Sequence, residues 1–267
     1  MVTKNSNLSL YLRIISYSVL AFTLAFLINN VLTVWSDWPG IKKIFSHHEM
    51  FGFKKKALEG SDLNYGYMQI GLYLICIAAV VFYVFKTYSQ TLEQDSKILS
   101  RFSAYLVRSS FWAVFLVGVA DFVISFMVVE RLWEAIFSPE VKALMVKAPV
   151  RITYIHFPII LISFVIGYFT KSVGFIWLAV LVVVSEFVIV LSRFIFSYEQ
   201  AFQGDLVRFW YAALYLFASA YALIHEGHVR VDVLYSSFSE KKKAWTNMVG
   251  SAVLGVPLTL IVIFLGL

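Results

Sequence analysis

Charged residues are scarce in this sequence, and cysteine is nearly absent. Only 14% of the 267 residues are charged and 60% are hydrophobic, with a mean hydropathy of +0.80. A soluble domain carries roughly 25% charged residues. The one cysteine, Cys76, excludes a disulfide framework and a cysteine metal site within the chain. The composition therefore predicts an all-α fold, a polytopic helical membrane protein.

Catalytic patterns are also missing. The sequence contains no nucleophile constellation, phosphate-binding loop or metal-ligand set, so we expect neither an enzyme nor a bound cofactor or metal. The adjacent pair His47-His48 has no cysteine or third histidine nearby, which favours a solvated loop over a metal site. Most of the net charge of +6 lies in loops, where it reports membrane orientation and not nucleic-acid binding.

Long apolar runs dominate what remains. Lys4 and Arg13 precede a run far longer than the core of a signal peptide, so this run predicts a first membrane helix and not a removed leader. Residues 89–108 alternate charged and apolar positions at helical period, which predicts an interfacial or connecting helix. The pattern predicts about seven membrane helices, at residues 10–35, 67–88, 109–130, 152–169, 175–196, 206–224 and 245–267.

Loop charges predict the orientation of these helices. The loop 226–243 carries Arg230 and Lys241–Lys243 and is expected inside, whereas the loop 197–205 carries acids and no Lys or Arg and is expected outside. Counting back places residues 132–150 outside. It also places residues 37–66 outside, against the positive-inside rule, so the C-terminal half is the better determined.

Two acids fall inside predicted membrane helices. Asp121 lies beside Gly118 in the third helix, and Glu186 lies near the middle of the fifth. A charged acid at mid-depth costs on the order of 2.5–3.5 kcal/mol, so each should face a partner or a cavity. Two interpretations of Asp121 stay open: a proton or ion site, or a hydrogen bond between helices.

A dense polar stretch, Glu226 to Asp232, separates the last two apolar runs. His228, Arg230 and Asp232 alternate with valines, which gives an extended segment one polar side. In a helix, Glu226–Arg230 and His228–Asp232 would form i,i+4 pairs of opposite sign when His228 is protonated. Either geometry gives an ordered polar junction. The alternative is an ordinary solvated loop that carries the cytoplasmic positive charge.

The amino-acid sequence of this stretch also resembles that of a known family. EGHVRVDVLYSSFSEKKKAW, from Glu226 to Trp245, resembles the signature of the DctQ-type small membrane subunit of tripartite ATP-independent periplasmic (TRAP) transporters. Arg193, within Ser192–Phe196, resembles the Arg-aromatic-X-Phe pattern at the end of the family's first helix. Phe209–Tyr211 and the small residues Ala218–Ala220 resemble its second helix. The similarity covers roughly residues 174–267 and is closest to the subgroup labelled mannitol/chloroaromatic.

The resemblance implies a non-catalytic scaffold in the bacterial inner membrane. Its partners would be a large membrane subunit that carries the substrate and sodium sites, and a periplasmic substrate-binding protein. It also implies two parts, an N-terminal four-helix extension over residues 1–172 and a DctQ-like module over residues 173–267. The module has three of the family's four helices, from which we expect a truncated sequence. Arg193, Glu226, His228, Arg230 and Asp232 are the expected structural or interface residues.

Two other functions stay open at this stage. A stand-alone transporter or channel would use Asp121 and Glu186 as a proton path. A b-type haem anchor would use His156, His225 or His228, but haem needs two histidines at matching depth. His156 counts to the outer side of the membrane and the other two count to the inner side.

Overall fold

The structure, a computed structural model, describes residues 7–170, 175–197, 201–224 and 235–266, and every regular element in them is helical. The first four α-helices are α1 (Asn7–Trp35), α2 (Ile41–His47), α3 (Ser61–Lys86) and α4 (Leu92–Val129). Then follow α5 (Trp133–Ile136), α6 (Pro139–Met145), α7 (Ala148–Arg151), α8 (Phe157–Phe169), α9 (Phe175–Phe196) and α10 (Ala201–Ile224). The last two are α11 (Glu240–Gly250) and α12 (Val256–Gly266). Short 3-10 turns occupy Met50–Gly52 and Tyr235–Ser237.

Five helices among the described residues are long and apolar enough to cross a membrane. They are Asn7–Trp35, Ser61–Lys86, Leu92–Val129, Ala148–Phe169 and Glu240–Leu265. α9 and α10 add helices of 22 and 24 residues, a length that matches the hydrocarbon core of a bilayer. The all-helical, multi-pass class is confirmed, and the count of seven crossings stays a prediction.

α4 differs from the sequence-based prediction. The predicted connecting helix at 89–108 and the predicted third membrane helix at 109–130 form one continuous helix of 38 residues. No proline or glycine occurs between Leu92 and Val117, so nothing in the backbone ends the helix at the polar-to-apolar change. At 1.5 Å per residue α4 is about 57 Å long, nearly twice the thickness of a hydrocarbon core.

Two π-helical turns interrupt the apolar helices, and both precede a proline. Ile152–His156 joins α7 to α8 just before Pro158, and Ser251–Gly255 joins α11 to α12 just before Pro257. Proline lacks an N–H and its ring crowds the carbonyl four residues earlier. The turns absorb that conflict by shifting locally to i→i+5 bonding without ending the helix.

The chain divides into two compact units. Unit 1 comprises residues 1–96 and 232–267, and unit 2 comprises residues 97–231. The sequence-based division into 1–172 and 173–267 rests on the family resemblance and stays a prediction. Each unit combines helices from both of those predicted parts.

Unit 1 packs α1 against α3 through aromatic contacts. The rings of Tyr17 and Tyr83 lie 5.3 Å apart in an edge-to-face arrangement, and those of Phe22 and Tyr73 lie 5.1 Å apart. Phe264 of α12 contacts the ring of Phe26, with 4.4 Å between centroids. α12 therefore contacts α1 within unit 1 through this ring.

A buried ion pair lies in the same unit. Arg13 of α1 is 1% exposed and forms a salt bridge with Asp95, which is 4% exposed. The guanidinium also donates to the carbonyl and hydroxyl of Thr87, at 2.9 and 2.8 Å, and the Tyr17 hydroxyl donates to Asp95 at 3.1 Å. In the sequence, Arg13 is a charge that precedes the first apolar run. The structure places it inside α1, fully paired.

In unit 2, three side chains of α4 donate hydrogen bonds to α8 and to the residue that follows it, where the two helices cross. Tyr105 donates to the carbonyl of Phe164 at 3.1 Å, Arg108 to the carbonyl of Gly167 at 3.2 Å, and Trp112 to the hydroxyl of Thr170 at 3.3 Å. Ser109 and Ser163 are fully buried at this crossing. Small residues let two membrane helices approach closely enough for such a ladder.

α10 packs against both α9 and α4. Trp210, 5% exposed, donates its indole N–H to the carbonyl of Val114 at 3.3 Å. Gly118 makes room for it, since a Cβ there would lie 2.9 Å from Cε2 of Trp210. Gln203 donates to the hydroxyl of Ser192 at 3.1 Å and links α10 to α9. Trp210, in the predicted family module, is thus seated on a helix of the predicted extension.

His47 is the last residue of α2 and His48 follows it, so the pair ends a helix where the sequence predicted a solvated loop, and both side chains have hydrogen-bond partners. Nδ1 of His47 accepts the backbone N–H of Leu58 at 3.0 Å, and Nε2 of His48 lies 2.9 Å from the hydroxyl of Tyr67. Both rings thus have a protein partner in the described part of the chain. No group of three or more His, Cys, Asp or Glu side chains that could hold a metal occurs among the described residues.

Candidate functional site

Asp121 is the centre of a charged cluster in unit 2. Its Oδ1 accepts from Nη1 of Arg151 at 3.0 Å and lies 3.0 Å from Nε2 of His156. A carboxylate is an acceptor only, so this geometry fixes the proton of His156 on Nε2. Its other oxygen, Oδ2, has no hydrogen-bond partner among the described residues. The side chain is 42% exposed, so Asp121 combines two helix-to-helix contacts with an open oxygen.

The π turn explains how Arg151 and His156 reach the same carboxylate. Residues five apart in a regular α-helix point about 140° apart around the axis. In the π turn Ile152–His156, the i→i+5 bonding lengthens one turn of the helix toward five residues. Arg151 and His156, five positions apart, therefore lie on the same face. Pro158 imposes the turn, so a local sequence feature sets the geometry of the cluster.

The cluster lines a cavity of about 580 Å³ within unit 2. Its walls come from α4, from the segment that leads into α8, and from the first turns of α10. Its polar groups are Asp121, Ser125, Arg151, His156 and Asp205. The remaining lining residues are apolar or small, namely Val117, Gly118, Phe122, Ala148, Ile152, Phe202, Leu206 and Phe209.

The cavity lies at one end of the membrane helices. Arg151 follows the start of its helix by about 5 Å, Asp205 follows the start of α10 by about 6 Å, and Asp121 precedes the end of α4 by about 12 Å. The charge pattern predicts residues 132–150 and 197–205 to be outside, and these ranges include the starts of α7 and α10. The polar groups thus lie near helix ends, where the headgroup region of a bilayer begins.

Glu186, the second intramembrane acid, has a different environment. It lies about 15 Å from either end of α9 and is exposed. Val183, Phe187 and Val190 surround it on the same exposed face. Among the described residues it has neither a hydrogen-bond nor an ion-pair partner. The opposite face of α9 packs on α10, so Glu186 points away from the core of unit 2.

The residues of the family signature have mixed positions. Arg193 is exposed in the last turn of α9, where a cation interacts favourably with the helix dipole. Glu226, His228, Arg230 and Asp232 lie outside the described residues, as does His225. The roles predicted for them stay predictions.

The sequence predicts that Asp121 faces a partner or a cavity and does not identify the partner. The partners come from the next apolar run, 30 and 35 residues further on. A usable signal was present in Arg151, a cation in the first turn of an apolar helix, with His156 and then Pro158 after it. Asp205, the other acid of the cavity, belongs in the sequence to the acidic loop 197–205, which predicts only orientation.

Taken together, these features define a multi-pass helical membrane protein with a charged cavity near the ends of its helices and, on an exposed face, an acid that has no partner within the described ranges. Residues 180–267 match the family model described as Tripartite ATP-independent periplasmic transporters, DctQ component. The match begins within α9 and covers about a third of the chain. Comparison with curated proteins and with solved structures gives no match. The family is a transporter component and not an enzyme, which agrees with the expected lack of catalysis.

Proposed function

We propose that this chain is the small scaffold subunit of a TRAP-type secondary transporter for organic acids or related small solutes. The family match over residues 180–267 carries the proposal. The chain would reside in the bacterial inner membrane and hold a large, sodium-coupled elevator subunit in place. A periplasmic binding protein would deliver the substrate. The N-terminal extension, residues 1–172, would enlarge the scaffold.

The exposed face of α9 supports a partner within the membrane. A carboxylate at mid-depth in lipid costs on the order of 2.5–3.5 kcal/mol, and acids at that depth normally face protein or a water-filled cavity. Glu186 has no partner among the described residues of this chain, and its neighbours on the face are exposed apolar side chains. A second membrane subunit that offers a cation or hydrogen-bond donor would satisfy the acid and cover the face.

Replacing Glu186 tests this face directly. When the chain is co-expressed with the large membrane subunit, we expect Glu186→Gln to weaken association about tenfold, since a hydrogen bond to a charged group is lost. Glu186→Lys should abolish association, because it places a cation against the partner's donor. The measurement is the amount of large subunit recovered with the tagged chain in detergent.

A matched control separates contact from insertion. Leu161 is exposed in the middle of the Ala148–Phe169 helix, outside the matched region, so Leu161→Lys carries a similar insertion cost on another face. It should leave recovery of the large subunit unchanged. Wild-type recovery with Glu186→Lys would remove α9 from the interface. Transport by the purified chain alone would instead support the stand-alone transporter that uses Asp121 and Glu186.

The signature residues give a second test. Arg230 and Asp232 are proposed as a structural lock at the cytoplasmic membrane surface. Removing one charge of a partly desolvated pair strands the other, so Arg230→Ala and Asp232→Ala should each lower recovery of the complex. The double variant should be less harmful than the two single effects summed. Single variants that assemble fully and yet transport nothing would assign the motif to the transport cycle and not to the scaffold.

A further inference from the structure

We propose that the cavity around Asp121 binds the zwitterionic headgroup of a phospholipid, with phosphoethanolamine as the fitting chemistry. The proposal goes beyond the scaffold function and does not depend on it. The cavity is formed by unit 2 of this chain alone.

The distribution of polarity in the cavity matches an amphiphile that lies along the helices. Arg151 and Asp205 lie within about 6 Å of their helix starts, whereas Val117 lies about 18 Å from the end of α4, a turn beyond Asp121. The wall therefore carries two of its charged groups at the mouth, with Asp121 deeper and the apolar Val117 beyond it. A volume of about 580 Å³ is within the range of small-molecule sites, of about 300–1,000 Å³. A soluble polar solute would leave the apolar wall unused.

The cation that would hold the phosphate has donors to spare. Only Nη1 of Arg151 contacts Asp121, and Nη2 has no hydrogen-bond partner among the described residues. The side chain keeps 22% of its surface exposed, so a guanidinium N–H is available to a ligand in the cavity. A phosphate oxygen can accept from this N–H, and guanidinium pairs with phosphate strongly.

Two carboxylates distinguish an ammonium headgroup from a purely anionic one. Asp121 keeps Oδ2 open, and the Asp205 side chain is 76% exposed, with Arg208 at 3.4 Å as its ion-pair partner. Besides His156, the lining carries one basic side chain, Arg151, and two acidic ones, Asp121 and Asp205. In a zwitterion with a primary ammonium, the phosphate can pair with Arg151 and the ammonium with the carboxylates. An anionic headgroup meets two like charges, and a trimethylammonium headgroup has no N–H to donate.

The test uses the full chain, delipidated in detergent and titrated with three lipids that have the same acyl chains, followed by native mass spectrometry. We expect phosphatidylethanolamine to bind about tenfold more tightly than phosphatidylcholine or phosphatidylglycerol. A factor of about ten in affinity is what one charge-assisted hydrogen bond contributes. Soluble O-phosphoethanolamine is the fourth probe and should bind far more weakly than the lipid, because it lacks acyl chains to fill the apolar wall.

Two variants and one control locate the site. Arg151→Gln should weaken phosphatidylethanolamine binding about tenfold, and Arg151→Lys should lose less, since it keeps the charge. Asp205→Asn changes an exposed residue that the fold does not need, and should remove the preference for ethanolamine over choline. Lys147→Gln, an exposed cation four residues before Arg151 that does not line the cavity, should change nothing.

Several results would overturn the proposal. Equal affinity for the three lipids would show that no headgroup is recognised. Equal affinity for lipid and soluble phosphoethanolamine would indicate a small-solute site. A preference that survives Asp205→Asn, or that Lys147→Gln weakens as much as Arg151→Gln does, would place the lipid elsewhere on the surface.

Discussion

Replacing Arg13 by methionine is expected to lower the free energy of unfolding by about 3–5 kcal/mol, the range for breaking a buried ion pair by removing one partner. Asp95 would remain 4% exposed with no cation beside it. Methionine keeps most of the side-chain volume, so the loss reports charge and hydrogen bonding more than a cavity. The change in the free energy of unfolding is measured in micelles by unfolding the protein with heat or a denaturing detergent while circular dichroism is recorded.

Hydrogen bonds beyond the ion pair enlarge this effect. Arg13 also satisfies the carbonyl and hydroxyl of Thr87, at 2.9 and 2.8 Å, so it ties α1 to the segment that follows α3. Asp95 in turn accepts from Tyr17 at 3.1 Å. Removing the guanidinium leaves several shielded polar groups without partners, and each adds a desolvation penalty.

An exposed pair in the same unit is the matched control. Lys55 and Glu49 lie 3.3 Å apart with side chains 70% and 57% exposed, so Lys55→Ala should change stability by no more than about 1 kcal/mol. The double variant Arg13→Met with Asp95→Leu should lose much less than the two single variants summed, because no charge is stranded. Additive losses, or an Arg13→Met protein as stable as the parent, would contradict the assigned pair.

Arg13 also shows why sequence patterns identified the helices better than the contacts between them. An apolar run identifies a membrane helix because the signal is local to about 20 residues. The partner of Arg13 is 82 residues away, and those of Asp121 are 30 and 35 residues away, so only the fold brings them together. The cost of an intramembrane acid predicts that a partner is needed and does not identify it.

The extent of α4 was missed for a related reason. Hydropathy changes sharply near residue 108, and the hydropathy pattern alone predicts a helix boundary there. Helical backbone geometry is indifferent to side-chain polarity, and only a breaker or a cap ends it. Since the sequence from Leu92 to Val117 has no proline or glycine, the helix continues and carries Asp95 into unit 1 and Asp121 into unit 2.

Replacing Gly167 by alanine is expected to destabilise unit 2, although alanine is the better helix former. The added Cβ would lie 2.8 Å from Cα and 2.9 Å from the backbone nitrogen of Ser109. Backbone cannot move aside as a flexible side chain does, so α4 and α8 must separate. Overpacking of this kind costs about 1–3 kcal/mol, and Gly167→Val should cost more. Separation would also lengthen the hydrogen bond from Arg108 to the carbonyl of Gly167.

Two glycines of α3, Gly66 and Gly71, test whether the close backbone of Ser109 causes the loss of stability expected for Gly167→Ala. At Gly71 of α3 no atom lies within 4 Å of an added Cβ, so Gly71→Ala should be neutral or stabilise by up to about 1 kcal/mol. At Gly66 the obstacle is the side chain of Ile44 and not a backbone atom, so Gly66→Ala should fall between the two. Thermal unfolding of the three variants under one detergent condition gives the order. If Gly167→Ala were as stable as Gly71→Ala, the close approach of α4 and α8 would be contradicted. The hydrogen bonds assigned between these two helices would then be contradicted as well.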